Sequence, residues 1–285
     1  MIPAFCVIAN PIKRIDGHAI TTAEDVSLLH LANLAEIVAE IHQPGLVIHI
    51  VSDSNFYALP LGLTAVEAQR YFQQLRHRVS ELQIDESIKV HDMVDLLLDQ
   101  APLFRERFVY WRAIYLQNPL CDGISELEYK RWQFSMRNSI NTYKFGLDYS
   151  ELARYFEPTA APQFDDSERH ALVALAEYRA MKAAAADTGW EHRHFPNAIR
   201  ASIHTKMSPV LGLRLYPEYK LRSTLLPYHG VALLEPGRTP GSTMMRVVHE
   251  LTVVGNPTYT RVLDADSGHT AFYEPSNTPG ATPAA

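Results

Sequence analysis

Two histidines and several cations make residues 199–235 the part of the sequence best suited to chemistry. His204 ends one hydrophobic run with strand character, and His229 begins the next. The cations beside them are Arg200, Lys206, Arg214, Lys220 and Arg222, with few carboxylates nearby. Arginine can bind phosphate or carboxylate through two parallel hydrogen bonds, and histidine exchanges protons near neutral pH. The segment predicts an anion site with acid/base groups, although any one of these cations could equally be a solvated surface charge.

Other kinds of catalytic centre have weaker support. Ser202 lies two residues before His204, but no G-x-S-x-G sequence is present and a packing role is equally open to it. His192 and His194 are two residues apart and share a face only in an extended segment, so we expect surface histidines and no metal site. No dinucleotide or P-loop glycine pattern follows a predicted strand, which disfavours nicotinamide and ATP enzymes.

The composition excludes further classes. The net charge of −6 over 285 residues disfavours nucleic-acid binding, and the local cations suit a small anion instead. Two cysteines, Cys6 and Cys121, imply no disulfide framework. No apolar run is long enough to span a membrane and the first residues do not resemble a signal peptide, so we expect a cytoplasmic protein. A homodimer is compatible with the sequence, which does not fix the oligomeric state.

The elements that position these residues alternate along the first hundred residues. Strand patterns at 5–8, 46–53 and 88–91 alternate with helical patterns, and capping boxes at Thr21/Glu24 and Thr64/Glu67 begin two of the helices. This order predicts an α/β fold with a Rossmann-like, mainly parallel sheet flanked by helices. Ligands of such sheets bind beyond the carboxyl ends of the strands, which makes Asn10, Asp53 and His91 site candidates.

The remainder of the chain is predicted in less detail. In the first helix, the face expected to be buried is Val26, Leu29, Leu34, Ile37, Val38 and Ile41. Residues 103–195 are predicted to be a mostly helical insertion, in which Tyr110, Trp111, Trp132 and Phe134 are expected in the core more than in a substrate pocket. Short strands are expected at 199–204, 212–215, 230–234 and 247–254. We predict one catalytic domain over 1–273 and a disordered tail over 274–285.

Several segments, in order, resemble one family. IRASIH (199–204) followed by LPYHGVALLEPG (226–237) is similar to the I-R-x-S-I-H and P-W-H segments of the isonitrile (isocyanide) synthases, also called the pyoverdine/dityrosine biosynthesis family. IPAF at the start, TTAEDVSLLHL from Thr21 and PGLVIHIVSDSNFY from Pro44, with a following helix that includes Tyr71 and Leu75, resemble further segments of that family. The similarity covers most of residues 2–100 and 195–237.

The resemblance implies a reaction and roles for particular residues. Family members join the amino group of an amino acid, usually tyrosine or tryptophan, to the ketone carbon of ribulose 5-phosphate, which becomes the isonitrile carbon, without a metal or redox cofactor. By position, His204, His229, Glu24 and Asp53 would be catalytic. The substrate-binding residues would be Arg200, Lys220, Ser202 and Lys206. The partners would be these small molecules.

The sequence departs from the family pattern at the N-terminal half of this site. Ile8 stands where the family often has lysine, and Thr21 stands where it has aspartate. Two alternatives therefore remain beside isonitrile formation. One is another condensation of an amine with a sugar phosphate on the same scaffold. The other is a non-catalytic protein that binds a phosphorylated metabolite.

Overall fold

The fold is known from a computed structural model. It describes residues 2–5, 19–43, 45–52, 64–127, 129–130, 132–133, 136–137, 165–196, 198, 201–202, 211–212, 230–237 and 239–276. The strands are β1 (Ile2–Phe5), β2 (Ile48–Ser52), β3 (Ile88–Asp92), β4 (Ala201–Ser202), β5 (Leu211–Gly212), β6 (Gly230–Pro236), β7 (Thr243–His249), β8 (Tyr259–Leu263) and β9 (Thr270–Pro275). The helices are α1 (Thr22–Ile41), α2 (Ala65–Glu81), α3 (Met93–Leu97), α4 (Ala101–Gln117), α5 (Asp165–Asp187), α6 (Trp190–His194) and α7 (Glu250–Val253). The prediction of a chain that mixes helices and strands is confirmed.

The first sheet has five strands in the order β3-β2-β1-β4-β5. β1 pairs in parallel with β2 and with β4, and β4 pairs in parallel with β5. Ala4 is the Cα partner of both Ile50 and Ala201, while Phe5 pairs with Ser202. Because positions alternate between the two faces of a strand, the positions of His49, Phe5 and Ser202 share one face of the sheet and Ile50 lies on the other.

Helix α1 covers the apolar face of this sheet. Its predicted capping box is confirmed: Thr21 and Glu24 cap each other's backbone at the first turn. The face that α1 buries was predicted only in part: of the predicted residues, Val26 packs against the core. Leu28, Leu31 and Ala35 lie in the core, whereas Leu29, Ile37 and Ile41 are exposed. The core below α1 also includes residues from β2, β3, β7 and α2, namely Ile48, Ile50, Ile88, Val247, Tyr71, Leu75 and Val79.

The second sheet has four strands in the order β7-β6-β9-β8 and is mixed. β6 pairs antiparallel with β7 and parallel with β9, and β8 pairs antiparallel with β9. The strand expected over 247–254 ends at His249, and its second half forms α7. β8 and β9 were not predicted, and β9 includes Glu274 and Pro275, which were assigned to the disordered tail. A Rossmann-like, mainly parallel sheet does not describe this second sheet and remains a prediction for the first.

The chain divides into two compact units. The first comprises residues 1–52, 70–91 and 198–285, and the second comprises 53–69 and 92–197. The second unit contains the predicted helical middle as α3, α4, α5 and α6, with α4 and α5 packed together through Tyr115, Ala176 and Ala180. Within the part of the chain that the structure describes, no helix combines the length and apolar character needed to cross a membrane.

Candidate functional site

Most of the residues that the sequence assigns to the site lie outside the described residues. They are Asp53, Arg200, His204, Lys206, Lys220 and His229, and the same holds for Asn10 and Ile8. Of Ser202 the structure describes the backbone, in β4. Glu24 and His91 are described with their side chains. The assignment of the full set to one site therefore stays a prediction.

A pair of imidazoles lies on the face of the first sheet opposite α1. The Nδ1 atom of His49 on β2 lies 2.9 Å from the Nε2 atom of His91 on β3. The two rings are stacked, with centroids 5.1 Å apart and planes inclined by 26°. His49 is only 8% exposed, in a strand whose residues are all buried, while His91 is half-buried. One nitrogen of this contact must carry the hydrogen and the other must accept it, so the pair fixes the tautomers of both rings relative to each other.

Burial keeps His49 neutral at physiological pH. Desolvation, followed by the fields of His91, the N-terminal amino group and Lys89, lowers the pKa of His49 from 6.5 to about 4. Each of these causes disfavours the charged imidazole. A neutral His49 can therefore act as a fixed hydrogen-bonding partner for His91 across the pH range in which most enzymes operate.

The carboxylate of Glu24 is completely buried at the start of α1. Its Oε2 atom accepts hydrogen bonds from the Thr21 backbone N–H at 2.9 Å and from the Thr21 hydroxyl at 3.0 Å. Its Oε1 atom accepts one from the buried Tyr71 hydroxyl at 3.1 Å. These contacts fit a structural role, because a buried carboxylate needs hydrogen bonds on both oxygens. The catalytic role that the resemblance implies for Glu24 remains a prediction.

A second buried carboxylate ends β3. Asp92 is 1% exposed and caps α3: its Oδ1 atom accepts from the Val94 backbone N–H at 2.9 Å. Its Oδ2 atom accepts from the Gln69 side-chain amide at 2.5 Å. Asp92 thereby satisfies a backbone N–H group in the first turn of α3.

In the second unit, aromatic rings surround a buried arginine. The side chain of Arg179 is 4% exposed and lies 4.2 Å above the Tyr115 ring, with Trp132 at 5.9 Å. Its Nη2 atom donates to Asp122 at 2.8 Å. Trp132 and Tyr110 are more than one third exposed, which corrects the expectation that both are core residues. Trp111 is partly buried, as expected, and Phe134 lies outside the described residues.

The two histidines considered for a metal site both lie in one short helix. His192 and His194 both lie in α6, where residues two apart point to different faces, and both are exposed. His194 instead contacts the Leu96 carbonyl oxygen through Nε2 at 2.9 Å. Among the described residues, no group of three His, Cys, Asp or Glu side chains is arranged to hold a metal ion.

Sequence reasoning missed the partners in two of these contacts. His49 was not among the predicted site residues, yet a polar residue in a strand of otherwise apolar character is itself a signal. Tyr71 was named as part of a helix without a partner. Neither contact has a local signal, because His91 is 42 residues from His49 and Tyr71 is 47 residues from Glu24.

Comparison with known proteins adds to this geometry. Isocyanide synthase A from Aspergillus fumigatus is 25% identical over 217 residues, which are 74% of this chain and 32% of that protein. The chain therefore matches about a third of the length of this relative. The crystal structure of the PvcA protein from Pseudomonas aeruginosa has a TM-score of 0.64 and 20% identity, covering 96% of this chain and 84% of that chain. At this identity the structural match bears on the fold alone.

The family comparison covers more of the chain. The family model described as pyoverdine/dityrosine biosynthesis protein matches residues 1–254, a range that includes α1, the first sheet and the segments with His204 and His229. The resemblance drawn from the short segments is thereby confirmed. The chain belongs to the pyoverdine/dityrosine biosynthesis protein family.

Proposed function

We propose that the protein is an isonitrile synthase that joins the amino group of an amino acid to the ketone carbon of ribulose 5-phosphate. The observation that carries this proposal is the family match over residues 1–254, together with the similarity to a protein named isocyanide synthase A. The proposed reaction uses no metal or redox cofactor. We also propose a cytoplasmic location and assembly as a homodimer. Light scattering on the purified protein would check the homodimer.

The roles follow from the chemistry of the two substrates. Arg200 and Lys220, with Ser202 and Lys206, bind the phosphate and the amino-acid carboxylate, which need fixed positive charge and hydrogen-bond donors. His204 and His229 exchange protons during imine formation and carbon–carbon cleavage. Asp53 holds the substrate ammonium or acts as the base, and Glu24 is the alternative for that role.

The structure of α1 supports this proposal over a redirected reaction. Thr21, which stands in place of the family aspartate, is the N-cap of α1, and its side chain accepts from the Ala23 backbone N–H. Threonine replaces aspartate in this task at little cost. The change at residue 21 therefore does not by itself require a different chemistry.

The test is a reaction with ribulose 5-phosphate labelled at the ketone carbon. The purified protein is incubated with tyrosine, tryptophan and the other common amino acids in separate reactions. An isonitrile that carries the label, identified by its infrared absorption and mass, is the expected result, and His204→Gln should abolish it. Labelled product without an isonitrile would favour the other condensation. Thermal stabilisation by ribulose 5-phosphate without any turnover would favour a binding protein.

A further inference from the structure

Helix α1 has apolar side chains on the side that faces away from the core. On this outer side Leu29, Ile37 and Ile41 are 47%, 48% and 83% exposed. They are eight and four residues apart, so they form one stripe along the helix. A helix that is apolar on all sides is normally buried on all sides. The outer stripe of α1 therefore has the character of a contact surface.

Helix α4 has the same two-sided character. Its inner side holds Tyr115, which is buried against α5, with Phe108 and Trp111 packed beside it. On its outer side Val109 and Leu116 are 68% and 42% exposed. They lie seven residues apart, which is close to two helical turns, and form a second stripe. Each of the two helices thus presents an exposed apolar stripe in addition to the side that it buries.

The charged residues beside the two stripes are mostly of opposite sign. Glu36 and Glu40 are exposed beside the stripe of α1, and Arg105 is exposed beside that of α4, together with Arg112. Glu106 lies on the other flank of the α4 stripe. In the part of the chain that the structure describes, neither Glu40 nor Arg105 forms an ion pair. An acidic helix face and a basic helix face, each with an aliphatic stripe, are complementary surfaces.

The two stripes also match in length. Leu29 and Ile37 lie about 12 Å apart along α1, and Val109 and Leu116 lie about 10 Å apart along α4. When the two helices run antiparallel, Leu29 therefore lies opposite Leu116 while Ile37 lies opposite Val109. The aliphatic side chains then interdigitate along the whole contact, as the ridges and grooves of packed helices do.

The charged flanks meet in the same arrangement. Antiparallel packing turns one helix over, so flanks on the same rotational side of their stripes come together. At about 3.6 residues per turn, Glu36 and Glu40 lie on that side of α1, and Arg105 and Arg112 lie on that side of α4. Glu40 then comes opposite Arg105, about one turn beyond the last aliphatic pair. Parallel packing would instead bring the acidic flank of α1 to Glu106, which the like charges disfavour.

We propose that the outer stripe of α1 docks antiparallel on the outer stripe of α4 in a second copy of the chain, with Glu40 of one copy paired to Arg105 of the other. Every copy carries both stripes, so the contact joins two different surfaces of identical chains. The inference assigns a surface to the proposed homodimer and does not depend on the isonitrile-forming reaction.

Charge reversal tests the pairing, with the mass of the protein in solution read by analytical ultracentrifugation. Wild type should form dimers. Glu40→Arg and Arg105→Glu should each weaken self-association at least about tenfold, because each change places like charges opposite one another. An equimolar mixture of the two variants should associate again, since the reversed α1 of one variant meets the reversed α4 of the other. Glu86→Arg, at an exposed position in the turn before β3, is the matched control and should associate like wild type.

Circular dichroism melts in dilute solution, where the monomer is the species that unfolds, show that each variant is folded. A wild type that stays monomeric would overturn the proposal and assign the two stripes to another protein. Folded single variants that associate like wild type, or a mixture that stays monomeric, would overturn the pairing of Glu40 with Arg105. Isonitrile formation is measured in parallel, so that an active monomer refutes this contact alone and an inactive dimer refutes the proposed function alone.

Discussion

At the scale of single residues, His49 makes the stability of the protein depend on pH. Its pKa is about 4 in the folded protein because of burial, then His91, and about 6.5 when unfolded. Between these values the unfolded chain binds a proton that the folded chain does not, so stability falls as the pH falls. We expect a loss of about 2 kcal/mol from this group between pH 7 and pH 5. Urea unfolding at both pH values measures it.

The variant His49→Asn should lose this part of the pH dependence, because the amide does not titrate. The matched control is His192→Asn, at an exposed position on α6, which should unfold like the wild type at both pH values. Equal pH dependence in wild type and His49→Asn would show that burial does not depress the pKa of His49.

A second prediction concerns the buried carboxylate at the start of α1. Tyr71→Phe removes the hydroxyl that donates to Glu24 Oε1. A hydrogen bond to a buried charged group contributes roughly 1.5–3 kcal/mol, so the free energy of unfolding should fall by about that amount. Tyr110→Phe, at a half-exposed position on α4, is the control and should cost almost nothing. An equal effect of the two changes would contradict the geometry described for Glu24.

Contacts between single residues also differ in whether they could be predicted from the sequence. The Thr21/Glu24 capping box was predictable because its partners are three residues apart. The contacts between His49 and His91 and between Tyr71 and Glu24 were not, because they exist only once sheet order and helix packing bring distant residues together. The clustering of His204, His229 and the nearby cations is a prediction of the same long-range kind.

At the scale of elements, α4 and α5 carry two ion pairs whose arginines differ in burial. The side chain of Arg179 on α5 is 4% exposed and that of its partner Asp122 is 38% exposed, whereas Arg112 on α4 is 41% exposed and its partner Glu177 is 22% exposed. Removing the partner of a buried arginine costs more than removing the partner of a solvated one. Asp122→Asn should therefore destabilise the protein by about 1–2 kcal/mol, and Glu177→Gln by about 0.5 kcal/mol. Thermal or urea unfolding gives both values, and a larger cost for Glu177→Gln would contradict the prediction.

The type of each element, helix or strand, was predicted better than the face that the element buries. α1 has apolar residues on both sides, so periodicity did not distinguish the buried Leu28 and Leu31 from the exposed Leu29 and Ile37. Only packing against β2 and β7 makes that choice. β7 was predicted to continue through the apolar residues after His249, but the chain turns there into α7. The hairpin of β8 and β9 was missed, although Asp264 and Gly268 mark its turn.

At the scale of the whole molecule, the chain passes between its two units within regular elements. The boundary at 69/70 falls inside α2, and the boundary at 91/92 falls inside β3. One unit cannot unfold completely without breaking an element that continues into the other. We therefore expect a single cooperative unfolding transition, in line with the prediction of one domain over 1–273.

The tryptophans make this expectation testable. All three, Trp111, Trp132 and Trp190, belong to the second unit, so their fluorescence reports on the unfolding of that unit. Leu31→Ala opens a cavity in the core of the first unit, where Leu31 is 1% exposed, and should cost about 2–5 kcal/mol. If unfolding is cooperative, the urea midpoint of tryptophan fluorescence shifts by the same amount as that of circular dichroism. Leu29→Ala, on the exposed side of α1, should shift neither. A fluorescence midpoint that stays in place while circular dichroism shows an earlier phase would mean that the two units unfold independently.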